Sequence, residues 1–524
     1  MTEKKMEWIQ KNLNRRQFLQ AGALGAMALT LPTVVWADGK KILKVRDYKP
    51  VDSFDPAVHA GIPVENATHT IYNKLISYIP GDKWGWQLEA AQSIEQVDPT
   101  HIKFELKKGI QFTNGYGEMT VDDVKFSLER HLDPKIKSQL KNDLGTFSHV
   151  EKTGKYTGVI VLKEPFQPIW MTGLAYMAGN IICKKATIEK GGTFTQPPCC
   201  SGPYKLKSWK PKQSTVLERN ELWIGEPAAF DEIHILAIDD EKSAEIGYEA
   251  GDLDFTRISM SSIGNYVSSP QPNSTLVTKP SLYYVWLGMN VENTILKDIR
   301  VRKAVQYAVD VDLVLEASYF GAAKRATGIL APGLIGHRSA NLISKQDLAK
   351  AKALLAEAGY EKGLELTIDV LNKTTYVSAA QVIQASLAQV GINLTVNVHD
   401  SGTFWSLGDA SKGDSWKKVQ LILNRFSSAP EPYYATQWFT EEQIGAWNWE
   451  RFNNAEYNKL HKEAAIETDT DKRDTMYKQM MDLMEESGAY LFLTHEAVPL
   501  IYRNTILPAL RPDGVPMYRY FKTA

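Results

Sequence analysis

Residues 282–310 constrain the fold most strongly, because they predict a buried strand that leads into a helix. Residues 283–289 form an almost continuous apolar run, which is typical of a strand covered on both faces. Asp298 can cap the helix that follows. Apolar residues at spacings of three and four predict one buried stripe: Val301, Ala304, Val305, Ala308 and Leu313. Three basic residues lie off this stripe and are expected to face solvent: Arg300, Arg302 and Lys303.

The N-terminus predicts export from the cytoplasm. The pair Arg15 and Arg16 precedes a weakly apolar run that is too short for a stable membrane span. Val35 and Ala37 are the small residues that a signal peptidase reads. We therefore interpret residues 1–37 as a twin-arginine signal peptide and exclude them from fold reasoning. No Cys follows the cleavage site, so we expect a periplasmic protein without a lipid anchor.

Composition narrows the possible classes of function. A chain of 524 residues is expected to form two or three domains. A formal net charge of -1 argues against a nucleic-acid-binding protein. Twin-arginine routes often carry cofactor enzymes, so an exported enzyme stays an alternative. The sequence holds no phosphate-binding, C-x-x-C or H-E-x-x-H motif, and its ten His are scattered. We therefore predict no catalytic residues, no cofactor and no metal.

The chain has three cysteines: Cys183, Cys199 and Cys200. An oxidising compartment permits a disulfide of Cys183 with either Cys199 or Cys200. The bridge would close a loop of about sixteen residues and stabilise the fold by about 3 kcal/mol. Adjacent cysteines seldom bridge to each other, so one thiol would be left over. The alternative is that all three are buried and reduced, and the sequence leaves both open.

Four motifs follow one another along the chain. Thr120, with Asp123 three residues later, predicts a capping box at the start of a helix. The motifs are T-V-D-D-V-K-F-S-L at 120–128, G-P-Y at 202–204, G-D-L-D at 251–254 and D-I-R-V-R-K-A-V-Q-Y-A-V-D at 298–310. Together they resemble the signature of extracytoplasmic solute-binding proteins of the dipeptide/oligopeptide/nickel transporter class, family 5. The resemblance extends over about residues 43–510.

This resemblance implies an α/β architecture, the two-lobed periplasmic-binding-protein fold (type II, cluster C) with an inserted subdomain. Lobe I would comprise 38–70, 203–280 and 490–524, the insert 71–202, and lobe II 281–489. The residue pattern agrees within lobe II. Alternating strands at 364–370 and 392–398 are joined by a helical stretch, and such a connection should place them parallel.

The resemblance also implies a function. The protein would be the periplasmic substrate-binding component of an ABC importer, and not an enzyme. It would capture a small solute, a peptide or a peptide-like or amine compound, by lobe closure and deliver it to the membrane permease. Expected partners are the ligand, the permease and ATPase subunits and the twin-arginine export machinery, with no nucleic acid and a monomeric state. A ligand-sensing or chaperone-like role of the same fold is a further alternative.

Peptide-binding relatives hold the ligand amine with an acid from the second lobe. When Glu431-Pro432 is aligned with the family's Asp-Pro, Ser428 stands at the position of that acid. A hydroxyl does not pair with an ammonium as a carboxylate does. Glu431 or another acid, such as Glu65 or Asp400, then takes this role, or the ligand lacks an α-amine. If Ser428 replaces the acid, ordinary di- and tripeptides should bind weakly and Ser428→Asp should improve binding.

The predicted ligand site combines aromatic residues with a few polar groups that set orientation. Arg425 suits a ligand carboxylate through its bidentate geometry, and it equally suits a structural salt bridge. The candidate lining is Glu65 and Asn66 from the first lobe with Trp405, Arg425, Ser427, Ser428, Glu431, Tyr433, Tyr434 and Trp438 from the second.

Overall fold

Two long neighbouring strands, Ser274–Met289 and Tyr490–Arg503, form the centre of the computed structural model, which describes residues 39–524. The predicted signal peptide lies outside the described residues. The strands are β1 Ile42–Asp47, β2 Ile76–Tyr78, β3 Trp86–Leu88, β4 Ala91–Asp98, β5 His101–Leu106, β6 Gln111–Phe112, β7 Gly117–Glu118, β8 Phe147–Lys152, β9 Thr157–Leu162, β10 Tyr204–Lys210, β11 Ser214–Arg219, β12 Glu232–Ala237, β13 Phe255–Arg257, β14 Ser274–Met289, β15 Leu364–Leu371, β16 Ile392–His399, β17 Leu421–Ser427, β18 Tyr490–Arg503, β19 Ile506–Leu507 and β20 Lys522–Thr523.

The helices are distributed along the whole described chain, so the architecture is mixed α/β, as predicted. They are α1 Ile62–Ile71, α2 Val121–Glu129, α3 Lys184–Glu189, α4 Glu241–Glu249, α5 Ile263–Ser268, α6 Ile299–Ala308, α7 Val311–Tyr319, α8 Leu348–Glu357, α9 Thr374–Ala388, α10 Ser401–Phe404, α11 Tyr433–Thr436, α12 Ala455–Ile466 and α13 Thr470–Glu486. Within residues 39–524, no helix combines the length and apolarity that crossing a bilayer requires.

The main sheet has ten strands in the order β10-β11-β12-β1-β13-β18-β14-β17-β15-β16. The expected parallel pairing of β15 with β16 is confirmed. The antiparallel pair β14 and β18 breaks register between Pro280 and Tyr284, where β14 advances four residues while β18 advances only from Ala497 to His495. On one side of this break β18 pairs with β13, and on the other β14 pairs with β17. The break therefore separates two halves of one sheet.

A separate antiparallel sheet, β4-β5-β9-β8, is formed by residues between 91 and 162. Helix α2 follows the short hairpin of β6 and β7, and the predicted capping box is confirmed. The backbone N–H of Thr120 donates to Asp123 Oδ2 at 2.9 Å, and the reciprocal contact is present. This local pattern therefore determined where α2 begins.

The strand–helix unit at 282–310 is largely as predicted. Asp298 caps α6 by accepting from the backbone N–H of Arg300 at 2.8 Å, and four residues of the predicted stripe are buried: Val301, Ala304, Val305 and Ala308. Two expectations were wrong. Leu313 is 52% exposed, because α6 ends at Ala308 and Asp310 caps a second helix, α7. Arg302 is buried, because its guanidinium donates to the carbonyls of Leu296 and Ser487.

Candidate functional site

Arg425 is the accessible cation of the predicted lining. Its guanidinium lies 3.8 Å from the ring centroid of Tyr283, and its Nε is 3.1 Å from Glu496 Oε1. Cross-strand register explains the stacking, because Arg425 is opposite Val285 and Tyr283 is two residues away on the same face. The Nη atoms have no hydrogen-bond partner within residues 39–524, and the side chain is 26% exposed. This arrangement leaves a bidentate donor edge free for a carboxylate.

The polar candidates at the end of β17 and in the loop after it differ in exposure and in hydrogen-bond partners. Ser427 is exposed, and the half-buried hydroxyl of Ser428 donates to the carbonyl of Ala429 at 2.9 Å. Glu431 is only 1% exposed, and its Oε1 accepts from Arg473 Nη2 at 2.6 Å. The carboxylate of Glu431 is thus already neutralised by a neighbouring guanidinium.

The aromatic candidates also divide into two groups. Trp405 and Trp438 pack around Phe426, with ring centroids at 6.3 and 6.4 Å, and Trp447 packs against it at 5.9 Å. Trp405 and Trp438 are only partly buried and Trp447 is 40% exposed, so this cluster presents an apolar wall.

Tyr433 and Tyr434 lie on α11 and contact the segment that carries the small sheet. The ring of Tyr433 meets Phe166 edge-on at 5.4 Å, and the hydroxyl of Tyr434 donates to the carbonyl of Asn142 at 2.8 Å. In the same region, the backbone N–H of Gln167 donates to the carbonyl of Ala465 at 2.7 Å. The two tyrosines therefore bridge segments that are far apart in sequence.

Helix α1 positions the remaining candidates, Glu65 and Asn66. It begins after Gly61, whose φ of 130° is a conformation that favours glycine. Glu65 forms a buried ion pair with Arg511, and Asn66 Nδ2 donates to Asp47 Oδ1 at 2.8 Å. Burial raises the pKa of Asp47 to about 8, although the hydrogen bond from Asn66 opposes the shift. Glu65 also has a raised pKa, first because of burial.

Sequence reasoning missed two residues of this region, Asp47 and His69. Asp47 ends β1, and His69 lies one helical turn after Glu65, on the same face of α1. That i,i+4 spacing was the available signal for His69. Nothing local marks Asp47, because its partner Asn66 is on another element.

Tyr48 lies at the end of β1, near Tyr283. It follows Asp47 directly, and its pKa is raised first by burial and next by the neighbouring Tyr283. Tyr283 is the ring on which Arg425 stacks. Tyr48 and Tyr283 are therefore close neighbours.

The cysteines are all buried free thiols in this structure, so the predicted disulfide is not formed here. Cys199 nevertheless lies beside Cys183, and this neighbour lowers the pKa of the Cys183 thiol. The same contact, together with burial, raises the pKa of Cys199. The structure thus brings Cys183 next to Cys199, and the covalent bridge stays a prediction.

Comparison with known proteins agrees with the sequence motifs. Residues 86–447 match the model of the bacterial extracellular solute-binding proteins, family 5 (Middle). The oligopeptide-binding protein AppA of Bacillus subtilis (strain 168) is 26% identical over 469 residues, which are 83% of this chain and 84% of AppA. The glutathione-binding protein GsiB of Pectobacterium atrosepticum is 24% identical over 498 residues, which are 92% of this chain and 93% of GsiB.

A solved structure supports the fold. HbpA2 from Haemophilus parasuis superimposes with a TM-score of 0.82 over 92% of this chain and 100% of its own, at 21% identity. The family match covers well over half of the 524 residues. The chain therefore belongs to family 5 of the bacterial extracellular solute-binding proteins, and it is the substrate-binding component of an ABC importer.

Proposed function

We propose that this protein captures a peptide or a peptide-like amine compound and delivers it to the permease and ATPase subunits of its transporter. The observation that carries the proposal is the family match over residues 86–447. Relatives named for oligopeptide and glutathione binding support the peptide-like class. We further propose that the protein is a monomer without enzymatic activity. It would reach the periplasm through the twin-arginine machinery.

The proposed lobes are lobe I (38–70, 203–280 and 490–524), the insert (71–202) and lobe II (281–489). The register break between Pro280 and Tyr284 supports this division, because it lies where β14 leaves one half of the sheet for the other. Proline cannot donate to the strand ladder, so pairing is weakened at this point. A break of this kind suits a hinge about which two lobes rotate.

Arg425 is the proposed anchor for a ligand carboxylate. Glu496 lies 3.1 Å from Nε, and neither Nη group donates a hydrogen bond within residues 39–524. Stacking on Tyr283 fixes the plane of the guanidinium. Trp405 and Trp438 would cover apolar side chains of the ligand. Ser427 and Ser428 would offer weaker polar contacts.

The contacts of Tyr433 and Tyr434 support a role in closure. In the proposed division they join lobe II to the insert, through Phe166 and the carbonyl of Asn142. Contacts made only when lobes meet shift the population toward the closed form. In this proposal the two tyrosines stabilise closure and do not touch the ligand.

The test is native mass spectrometry of the purified protein, followed by a thermal-stability screen of peptides, opines, amines and sugars. A ligand that binds only the folded state should stabilise it by RT ln(1 + [L]/Kd). We expect one peptide-like class to raise Tm, with no turnover of any compound. Stabilisation by sugars alone, or turnover with a tightly held cofactor, would contradict the proposal.

A further inference from the structure

The structure distinguishes among the acids that could hold a ligand amine. Glu431 is paired with Arg473 at 2.6 Å. Asp400 is an exposed helix cap that accepts from the backbone N–H of Gly402 at 2.8 Å. Glu65 differs from both, because its Oε2 is buried and has no hydrogen-bond partner in the described part of the chain.

Glu65 belongs to a pocket whose polar atoms are incompletely satisfied. Glu65, Asn66 and His69 line a small pocket, and we call these three residues the α1 subsite. Each is more than nine-tenths buried. Oε2 of Glu65, Oδ1 of Asn66 and Nε2 of His69 all lack a partner among residues 39–524. Buried polar atoms are rarely left unpaired, so three in one pocket mark it as a candidate binding site.

The hydrogen-bonding role of His69 follows from Lys74. The ammonium of Lys74 lies 2.6 Å from His69 Nδ1. Burial lowers the pKa of Lys74 to about 8, so at neutral pH Lys74 is mostly charged and donates to Nδ1. Burial also lowers the pKa of His69, which is therefore neutral and carries its proton on Nε2. The α1 subsite consequently offers two acceptors and one donor. Because Nε2 of His69 carries a proton, it has no free lone pair with which to bind a metal ion.

The carboxylate of Glu65 belongs to a small group of buried charges. Arg511 pairs with Glu65 and is shared with Asp513, whose Oδ2 is 2.9 Å from Nη2. Asp47 Oδ1 accepts from Asn66 Nδ2, whereas its other oxygen, Oδ2, has no hydrogen-bond partner in the described residues. Glu65 and Asp513 therefore share one guanidinium, and the Lys74 ammonium lies on the Nδ1 side of His69. Buried carboxylates are stabilised by a nearby positive charge.

We infer that the α1 subsite holds the free amino terminus of a peptide-like ligand. The ligand ammonium donates to Glu65 Oε2 and Asn66 Oδ1, and the carbonyl of its first residue accepts from His69 Nε2. This inference rests on the proposed function and names the ligand group that this site recognises. It moves the amine contact from the loop at Ser428 to the first helix of the chain.

The test compares a pool of random di- to pentapeptides with the same pool after N-acetylation. Each pool is presented to the purified protein, and bound peptides are eluted and identified by mass spectrometry. We expect capture from the free-amine pool and little capture from the acetylated pool. Glu65→Gln, which replaces an acceptor oxygen with a donor, should lower affinity for a captured peptide about ten- to a hundredfold. The matched control is Glu485→Gln, a buried carboxylate paired with Arg338 elsewhere, which should leave affinity unchanged.

Several outcomes would overturn the inference. Equal capture from both pools would show that the protein binds peptides without recognising their free amine. The wild-type protein alone gives this result. Ser428→Asp could improve the affinity for free-amine peptides while Glu65→Gln leaves it unchanged. That result would assign the ligand amine to the loop at Ser428. No capture from either pool would overturn the peptide class itself and this inference with it.

Discussion

At the scale of single residues, Glu450 is a buried carboxylate without a countercharge. Its Oε1 accepts from Trp286 Nε1 at 2.8 Å, and Oε2 has no partner within 39–524. Burial raises the pKa of Glu450 to about 7, and the hydrogen bond from Trp286 opposes this shift. Gly288 leaves the room for this side chain, because a Cβ there would lie 2.0 Å from Oε1. Burial therefore favours the protonated form of this carboxyl group.

This burial predicts a pH effect on stability. Between about pH 4.5 and 7 the unfolded chain releases the Glu450 proton while the native state keeps it, so the free energy of unfolding falls as pH rises. Glu450→Gln should remove up to about 3 kcal/mol of this decline. Denaturant unfolding at pH 5 and pH 8 measures the effect, with exposed Glu361→Gln as control. Identical pH slopes in wild type and Glu450→Gln would contradict it.

Arg425 carries a second prediction at this scale. Arg425→Gln should weaken binding of a captured peptide about ten- to a hundredfold, because a charged hydrogen bond to the ligand carboxylate is lost. Arg425→Lys should recover only part of the affinity, since lysine lacks the bidentate edge and the stacking plane. Calorimetric titration with the peptide and its C-terminal amide gives the measurement. A variant with lower Tm but unchanged affinity would assign Arg425 to a structural salt bridge.

At the scale of elements, the contact between the start of α3 and the loop after it predicts a disulfide. Cys183 is the N-cap of α3, and its thiol contacts Cys199. The protein prepared without reductant should therefore contain a Cys183–Cys199 disulfide and one free thiol at Cys200. Reduction should lower the free energy of unfolding by about 3 kcal/mol.

Counting alkylated thiols after denaturation tests this bridge. Cys200→Ser should retain the disulfide, and Cys199→Ser should lose it. Three alkylated thiols in the wild-type protein would show that all the cysteines remain reduced.

At the scale of the whole molecule, the contact between Tyr434 and Asn142 predicts an effect on closure. Tyr434→Phe removes one hydrogen bond between the proposed lobe II and the insert, at 2.8 Å. Because one such bond contributes about 0.5–1.5 kcal/mol, ligand affinity should fall about two- to tenfold. The loss should appear mainly as faster dissociation in stopped-flow measurements.

The matched control is Tyr307→Phe. The hydroxyl of Tyr307 accepts from Lys350 Nζ at 2.6 Å within the proposed lobe II, away from the insert. It should leave dissociation unchanged. Equal dissociation rates for both variants would argue against a role of Tyr434 in closure.

The sequence by itself determined the local elements and the family. Asp298 and the pair Thr120 and Asp123 marked helix starts correctly, because a cap depends only on residues within one turn. The alternation in β15 and β16 likewise marked them as strands, and the helix that connects them predicted their parallel pairing. Such signals are carried by neighbouring residues, so they can be read from the chain without a structure.

Only the tertiary structure decided which charged groups are compensated. Arg302 is buried because the carbonyl of Ser487 lies 185 positions away in sequence, and Glu431 is neutralised by Arg473, 42 positions away. Glu65 meets Arg511 across 446 positions and still keeps one unpartnered oxygen in the described chain. The free energy of a buried charge depends on every group within a few ångströms, and the folded topology brings those groups together from distant parts of the sequence.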